Sequence, residues 1–174
     1  MDYRAQFSGL NEASVDERLP SLYGKDGIHR LRVDRHAVLD TDNGLTFLCE
    51  VTVLESNNPA VPSGYRTSVV LGGLRQSVAW KRTKALGRVK SHLSAVWSIP
   101  AESNQDWIGL MQLCGDKQVA EGATFVAQTR GYEYQDDKGK SREGVEFVHA
   151  IDPANPITER PELRDFYAKI RAAG

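Results

Sequence analysis

The chain has 174 residues, 40% of them hydrophobic and 26% charged, with 22 basic and 23 acidic side chains for a net charge of -1. That size and balance suit one soluble globular domain with a sizeable core and exclude a disordered or low-complexity chain. No apolar run approaches the ~18 residues that span a membrane, and the opening Met-Asp-Tyr-Arg-Ala-Gln-Phe has no signal-like apolar region, so no membrane association is expected. The two cysteines, Cys49 and Cys114, lie in no CxxC pair and no histidine spacing suggests a metal ligand set, which points to reduced, buried thiols in an intracellular protein.

Residues 1–24 scatter single apolar side chains among Asn, Ser, Asp and Pro and read as an arm packed on the main fold. Residues 28–40 alternate, placing His29, Leu31, Val33, Ala37 and Leu39 on one face and Arg30, Arg32, Asp34, His36 and Asp40 on the other, a half-buried strand. Thr41-Asp42-Asn43-Gly44 is a hairpin signal. The partner strand is 45–55, with Phe47, Cys49, Val51 and Val53 inward.

A Pro- and Gly-containing loop leads to a third strand at 65–71, ended by Gly72-Gly73. From Ala79 to Trp97 the period becomes helical. Leu86, Val89, Leu93 and Val96 form the expected buried stripe, and Lys81, Lys84, Arg88 and His92 the expected exposed row. A second helix is expected over 105–114, capped by Ser103 or Asn104 and ended by Gly115. Strands follow at 122–135 and 143–151 around the polar tip Asp136–Lys140, and a helix at 161–171 closes the chain with Pro161 in its first turn.

Three strands, a helix and two more strands give a mainly β protein with helices (α+β). That order is the one found in a five-stranded OB-like barrel with a helix between strands 3 and 4 and a C-terminal helix. The expected division is one OB-like domain over 1–174, with an arm at 1–24, the barrel at 25–151 and a helical extension at 152–174. Trp97 and Trp107 sit on apolar stripes and are expected in the core.

Charge is unevenly placed. From Ser56 to Ala101 there is no Asp or Glu, while Arg66, Arg75, Lys81, Arg82, Lys84, Arg88 and Lys90 fall there, leaving the remaining 128 residues at -8. Such segregation points to an anionic partner. Single-stranded nucleic acid needs cations along its backbone and aromatic faces for its bases. The candidates are Arg30 and Arg32 on strand 1, Tyr65 and Arg66 opening strand 3, Arg75, Trp80, Lys81, Arg82, Lys84 and Arg88 at the basic helix, and Arg130, Tyr132 and Tyr134 on strand 4. The same residues allow plainer roles: Trp80 as a helix-start anchor, Tyr132 and Tyr134 as cover for the core's edge.

The stretches Phe7–Ala13, Gly27–Val33 and Val53–Pro59 through Ser63-Gly64, with the polar strand after them, resemble a group of small bacteriophage and prophage single-stranded DNA-binding or replication-associated proteins, over roughly residues 7–97. The resemblance implies an OB-type barrel that coats single-stranded DNA in phage DNA replication or recombination, in the cytoplasm of an infected bacterial host. Phage or host replication proteins would be its further partners. The ending Tyr-Ala-Lys-Ile-Arg-Ala-Ala-Gly lacks the acidic tail of cellular counterparts, so recruitment by that route is not expected.

Hydrolase, Walker and dinucleotide-binding glycine motifs are missing from the sequence, so no enzyme, no cofactor and no metal site are expected. The alternative is a phage-encoded adaptor or inhibitor that docks on an acidic protein through its basic helix. A sugar-binding barrel would want carboxylates and amides instead. Oligomeric state, including a homo-oligomer, is left open.

Overall fold

The computed structural model describes residues 22, 25–41, 44–72, 74–75 and 77–173. The strands are β1 (Gly27–Thr41), β2 (Gly44–Ser56), β3 (Arg66–Leu71), β4 (Thr124–Gln135) and β5 (Ser141–Ile151); the helices are α1 (Ala79–Trp97), α2 (Trp107–Lys117) and α3 (Arg164–Ala173). Two short 3-10 turns, Pro156–Glu159 and Pro161–Leu163, lead into α3. The expected arm over 1–24 and the hairpin tip Asp42-Asn43 lie outside the described residues, apart from Leu22, which is buried in the core.

All strands join one antiparallel sheet in the order β3-β2-β1-β4-β5. The α+β class with five strands, a helix after the third and a helix at the end is therefore observed. The sheet is not closed, because β3 and β5 are its two edges and do not pair. Across this seam, Ser68–Leu71 face Val145, Phe147 and His149 around a cavity of about 30 Å³ that Leu22 and Arg88 also line.

The inner face carries Leu31, Val33, Phe47, Cys49, Val51, Val53, Phe125 and Ala127, all fully buried. Strand alternation produces this face, but two register shifts modify it. Asp34 has no partner on β2 and Leu54 has none on β1, so each is the extra residue of a bulge. The Asp34 bulge advances β1 by one residue and turns His36 inward beside Val33. His36 was expected on the polar face; a bulge that changes the side-chain phase is why it is buried instead.

Helix α1 packs on the inner face, chiefly along β5. Its buried stripe is Ala85, Val89, His92, Leu93 and Val96, ending at Trp97. The expected stripe is corrected at two points: Leu86 is 48% exposed, and His92, placed on the solvent row, is 0% exposed. The helix ends on Ser98 in the left-handed region (φ 54°), whose N–H and that of Ile99 bond back to Ala95 O and Ser94 O.

Helix α2 begins two residues later than expected. Asp106, not Ser103 or Asn104, caps it by accepting from Gly109 N at 3.0 Å. It ends on Gln118 (φ 52°), not on Gly115. The Gln118 amide accepts from His36 N at 2.9 Å and donates to His36 O at 2.7 Å. It thus acts as a substitute strand partner for β1 beyond Arg32, where pairing with β4 stops.

Asn155 joins the C-terminal segment to the core. It donates to Val96 O at the end of α1 (2.8 Å) and accepts from Thr124 N at the start of β4 (2.9 Å). Tyr167 of α3 donates its hydroxyl to Trp97 O at 2.7 Å. Trp97 is buried and Trp107 partly buried against the core, as their stripes indicate.

Candidate nucleic-acid interface

The predicted cations divide into two groups. On the outer face of the sheet they are matched by acids. Arg30 Nε lies 2.7 Å from Asp152 and its Nη1 3.2 Å from Glu55. These hydrogen bonds raise the Arg30 pKa; at Asp152, burial pushes the pKa up but is outweighed by bonds from Thr124, Arg30 and Ala154 N, so the carboxyl ends below its ordinary range. Arg32 reaches Asp34 at 3.1 Å. Arg75, before α1, grips both oxygens of Asp40 at 2.7 and 3.0 Å. Arg35, which the sequence reading did not single out, pairs with Glu50 at 2.5 Å.

The second group is unmatched. Lys81, Arg82, Lys84 and Arg88 are exposed, and no carboxylate of the described residues lies within 4 Å of any of them. Residues 79–84 are exposed on every side, so the first turns of α1 overhang the body of the protein. Arg82, exposed like its neighbours, belongs to this overhang. Trp80 is 65% exposed with the Lys81 ammonium 5.6 Å from its ring centre; it is not a buried anchor.

The overhang also breaks the local rules for starting a helix. No side chain caps it, and its first turn holds no acid. Instead Lys81 and Arg82 meet the positive end of the helix dipole, where each exposed cation costs about 0.3–1 kcal/mol at low salt, with Lys84 following in the next turn. Violations of this kind cluster where function requires them.

The remaining candidates stand apart. Tyr65 precedes β3 half-buried beneath the Lys25 ammonium, 5.0 Å from the ring centre, and Arg66 is exposed at the start of β3. Arg130, Tyr132 and Tyr134 lie on the outer face of the β4–β5 hairpin, opposite Glu146, Gly144 and Arg142. Tyr132 and Tyr134 are 45% and 47% exposed, with ring centres 5.9 Å apart. The Tyr132 ring lies over Gly144 so closely that a Cβ there would sit 2.6 Å from it.

Because α1 packs on the inner face and these tyrosines point outward, the sheet separates the two candidate surfaces.

A third grouping was invisible in sequence. His36, Cys49 and His92 converge in the core, with donor atoms all within 4.8 Å of one another. His36 Nε2 and His92 Nε2 are 3.0 Å apart, and the His149 ring centre lies 5.0 Å from that of His92. Burial lowers the pKa of His36 and of His149 to about 4 and holds that of His92 well below the ordinary imidazole range, with His149 and His36 adding repulsion there. Burial likewise raises Cys49 and takes Cys114 to about 12. The only sequence signal was four histidines at unrelated spacings.

No family model, no curated protein and no solved structure matches the chain.

Proposed function

We propose that this protein binds single-stranded DNA without sequence preference, as a phage-type replication or recombination protein without catalytic activity, through the overhanging half of α1. The observation that carries the reading is the contrast in pairing. Arg30, Arg32 and Arg75 already have carboxylate partners, whereas Lys81, Arg82, Lys84 and Arg88 have none among the described residues. Unpaired cations lose nothing when a phosphate arrives and release its counterions. Trp80 beside them offers a face for a base.

The topology supports an OB-type relationship. Strands β4-β1-β2-β3 stand in Greek-key order, and β5 extends the sheet beside β4. This is the arrangement of a five-stranded Greek-key barrel opened between its third and fifth strands.

The test is a titration with oligo-dT at two salt concentrations. Lys81→Glu/Arg82→Glu/Lys84→Glu should weaken binding at least ~100-fold and flatten the salt dependence, which scales with the phosphates neutralised. Circular dichroism should be unchanged, since all three residues are exposed. Parent-like affinity in that variant at low salt rejects the reading.

A second reading rests on the exposed apolar residues Val78, Trp80 and Leu86 interleaved with the cations. Aromatic and Arg residues of this kind are enriched in protein interfaces. An acidic protein partner would leave Trp80 fluorescence unquenched by oligo-dT, while a stacked base would quench it.

A further inference from the structure

The core holds an anomaly that neither packing nor DNA binding uses. Nδ1 of His36, Nδ1 of His92 and Nε2 of His149 are buried with no hydrogen-bond partner among the described residues. Each such atom ordinarily costs about 1–3 kcal/mol; of the three, His149 Nε2 is the one offered to a ligand below, while both Nδ1 atoms serve there as the protonated ring nitrogens. His36, Cys49 and His92 each bring a donor atom within 4.8 Å of the other two, and all three residues are at most 1% exposed.

We infer that His36, Cys49 and His92 form a binding site for one zinc-class divalent ion, with His149 as the fourth donor. The donors are two to three imidazoles and a thiolate, with no carboxylate among them. That set suits zinc and disfavours magnesium or calcium, which take oxygen ligands. The four residues come from β1, β2, α1 and β5, so an ion held by them fastens α1 to the sheet on both sides of the open seam.

In the metal-free geometry the two Nε2 atoms face one another. Their ring centres are 5.3 Å apart for a 3.0 Å nitrogen separation, so the rings point along the line joining them and share one N–H···N hydrogen bond. An ion with Zn–N of about 2.0–2.1 Å in tetrahedral geometry needs roughly 3.3 Å between the nitrogens. The rings must therefore tilt and part by a few tenths of an ångström, and Cys49 Sγ must approach.

The proton balance follows. The proton between the imidazoles moves to Nδ1 of its own ring, both Nε2 lone pairs go to the ion, and the Cys49 thiol proton leaves to solvent. One proton is released per ion bound.

The experiment uses the full chain without a polyhistidine tag, titrated with zinc and with cobalt(II) as a spectroscopic probe. One equivalent of zinc should bind and raise the melting midpoint. Cobalt(II) should give tetrahedral visible bands and a thiolate charge-transfer band in the near ultraviolet, and affinity should rise about tenfold per pH unit while one thiol proton is displaced. Cys49→Ser should abolish the charge-transfer band and weaken binding at least ~10-fold, whereas Cys114→Ser, at the other buried thiol, should change neither. Parent protein with no charge-transfer band overturns the site whether or not the variants fold. Loss of the band in Cys114→Ser with its retention in Cys49→Ser also overturns it. Neither outcome bears on oligo-dT binding, which the metal-free chain tests separately.

Discussion

The two halves of α1 obey opposite rules. From Val89 to Trp97 nearly every residue is buried, and even the polar His92 and Ser94 are taken into the core. From Ala79 to Lys84 nothing is buried, and the residues are three cations, an Ala, a Trp and a Thr. One continuous helix thus serves as a core element at its C-terminal end and as a presented surface at its N-terminal end. Stability belongs to the C-terminal half and the proposed binding to the N-terminal half, which makes the two separable by mutation.

The sharpest way to test that separation is to exchange one tryptophan at a time. Trp97→Ala removes a fully buried ring and should cost about 3–5 kcal/mol in a urea melt. If Trp97→Ala costs less than 1 kcal/mol, the C-terminal half is not the anchor described here.

Acid should act on the core that the C-terminal half packs into. His36 is neutral when folded, with a pKa near 4 against 6.5 unfolded, so between those values the unfolded chain binds more protons than the folded one. Stability is therefore full above about pH 6.5 and falls as pH drops towards 4, by up to about 3 kcal/mol for His36 alone. His149 and His92 shift in the same direction. Melts at pH 7, 5.5 and 4.5 check this; a flat profile would mean the imidazoles are hydrated.

At the overhang the expectations reverse. Trp80→Ala should leave the melt within about 0.5 kcal/mol of the parent, as for an exposed site. It should weaken oligo-dT binding by about 1–3 kcal/mol if a base stacks there. Smallest of all, Leu86→Ala should change stability by no more than ~0.5 kcal/mol. A loss above 2 kcal/mol would restore Leu86 to the buried stripe.

Much of the architecture was legible because local periodicity survives folding. The bounds of α1 coincide with the 3.6-residue pattern, and the inward residues of β2 and β4 follow strict alternation. Asp106 was missed as a cap because Ser103 and Asn104 carry the same local chemistry one turn earlier. The azimuth of α1 was misread because Leu86 outranks Ala85 in hydrophobicity, while the overhang leaves Leu86 with nothing to pack on. Within the candidate interface, the basic run was evident by composition. That its cations are unpaired while Arg30, Arg32 and Arg75 are matched was not, because each acid involved is two to 122 positions away.

The sequence alone determined the element order, the alternation that makes one sheet face apolar, and the acid-free basic segment, since these depend on neighbours in the chain. Tertiary structure decided the open seam between β3 and β5, the inward turn of His36 at the Asp34 bulge, its meeting with Cys49 and His92, and the packing of His149 on His92. Those depend on register and on packing between segments more than 50 residues apart in sequence, as His36 with His92 and His92 with His149. No local pattern encodes a contact whose partners are brought together only when the core closes.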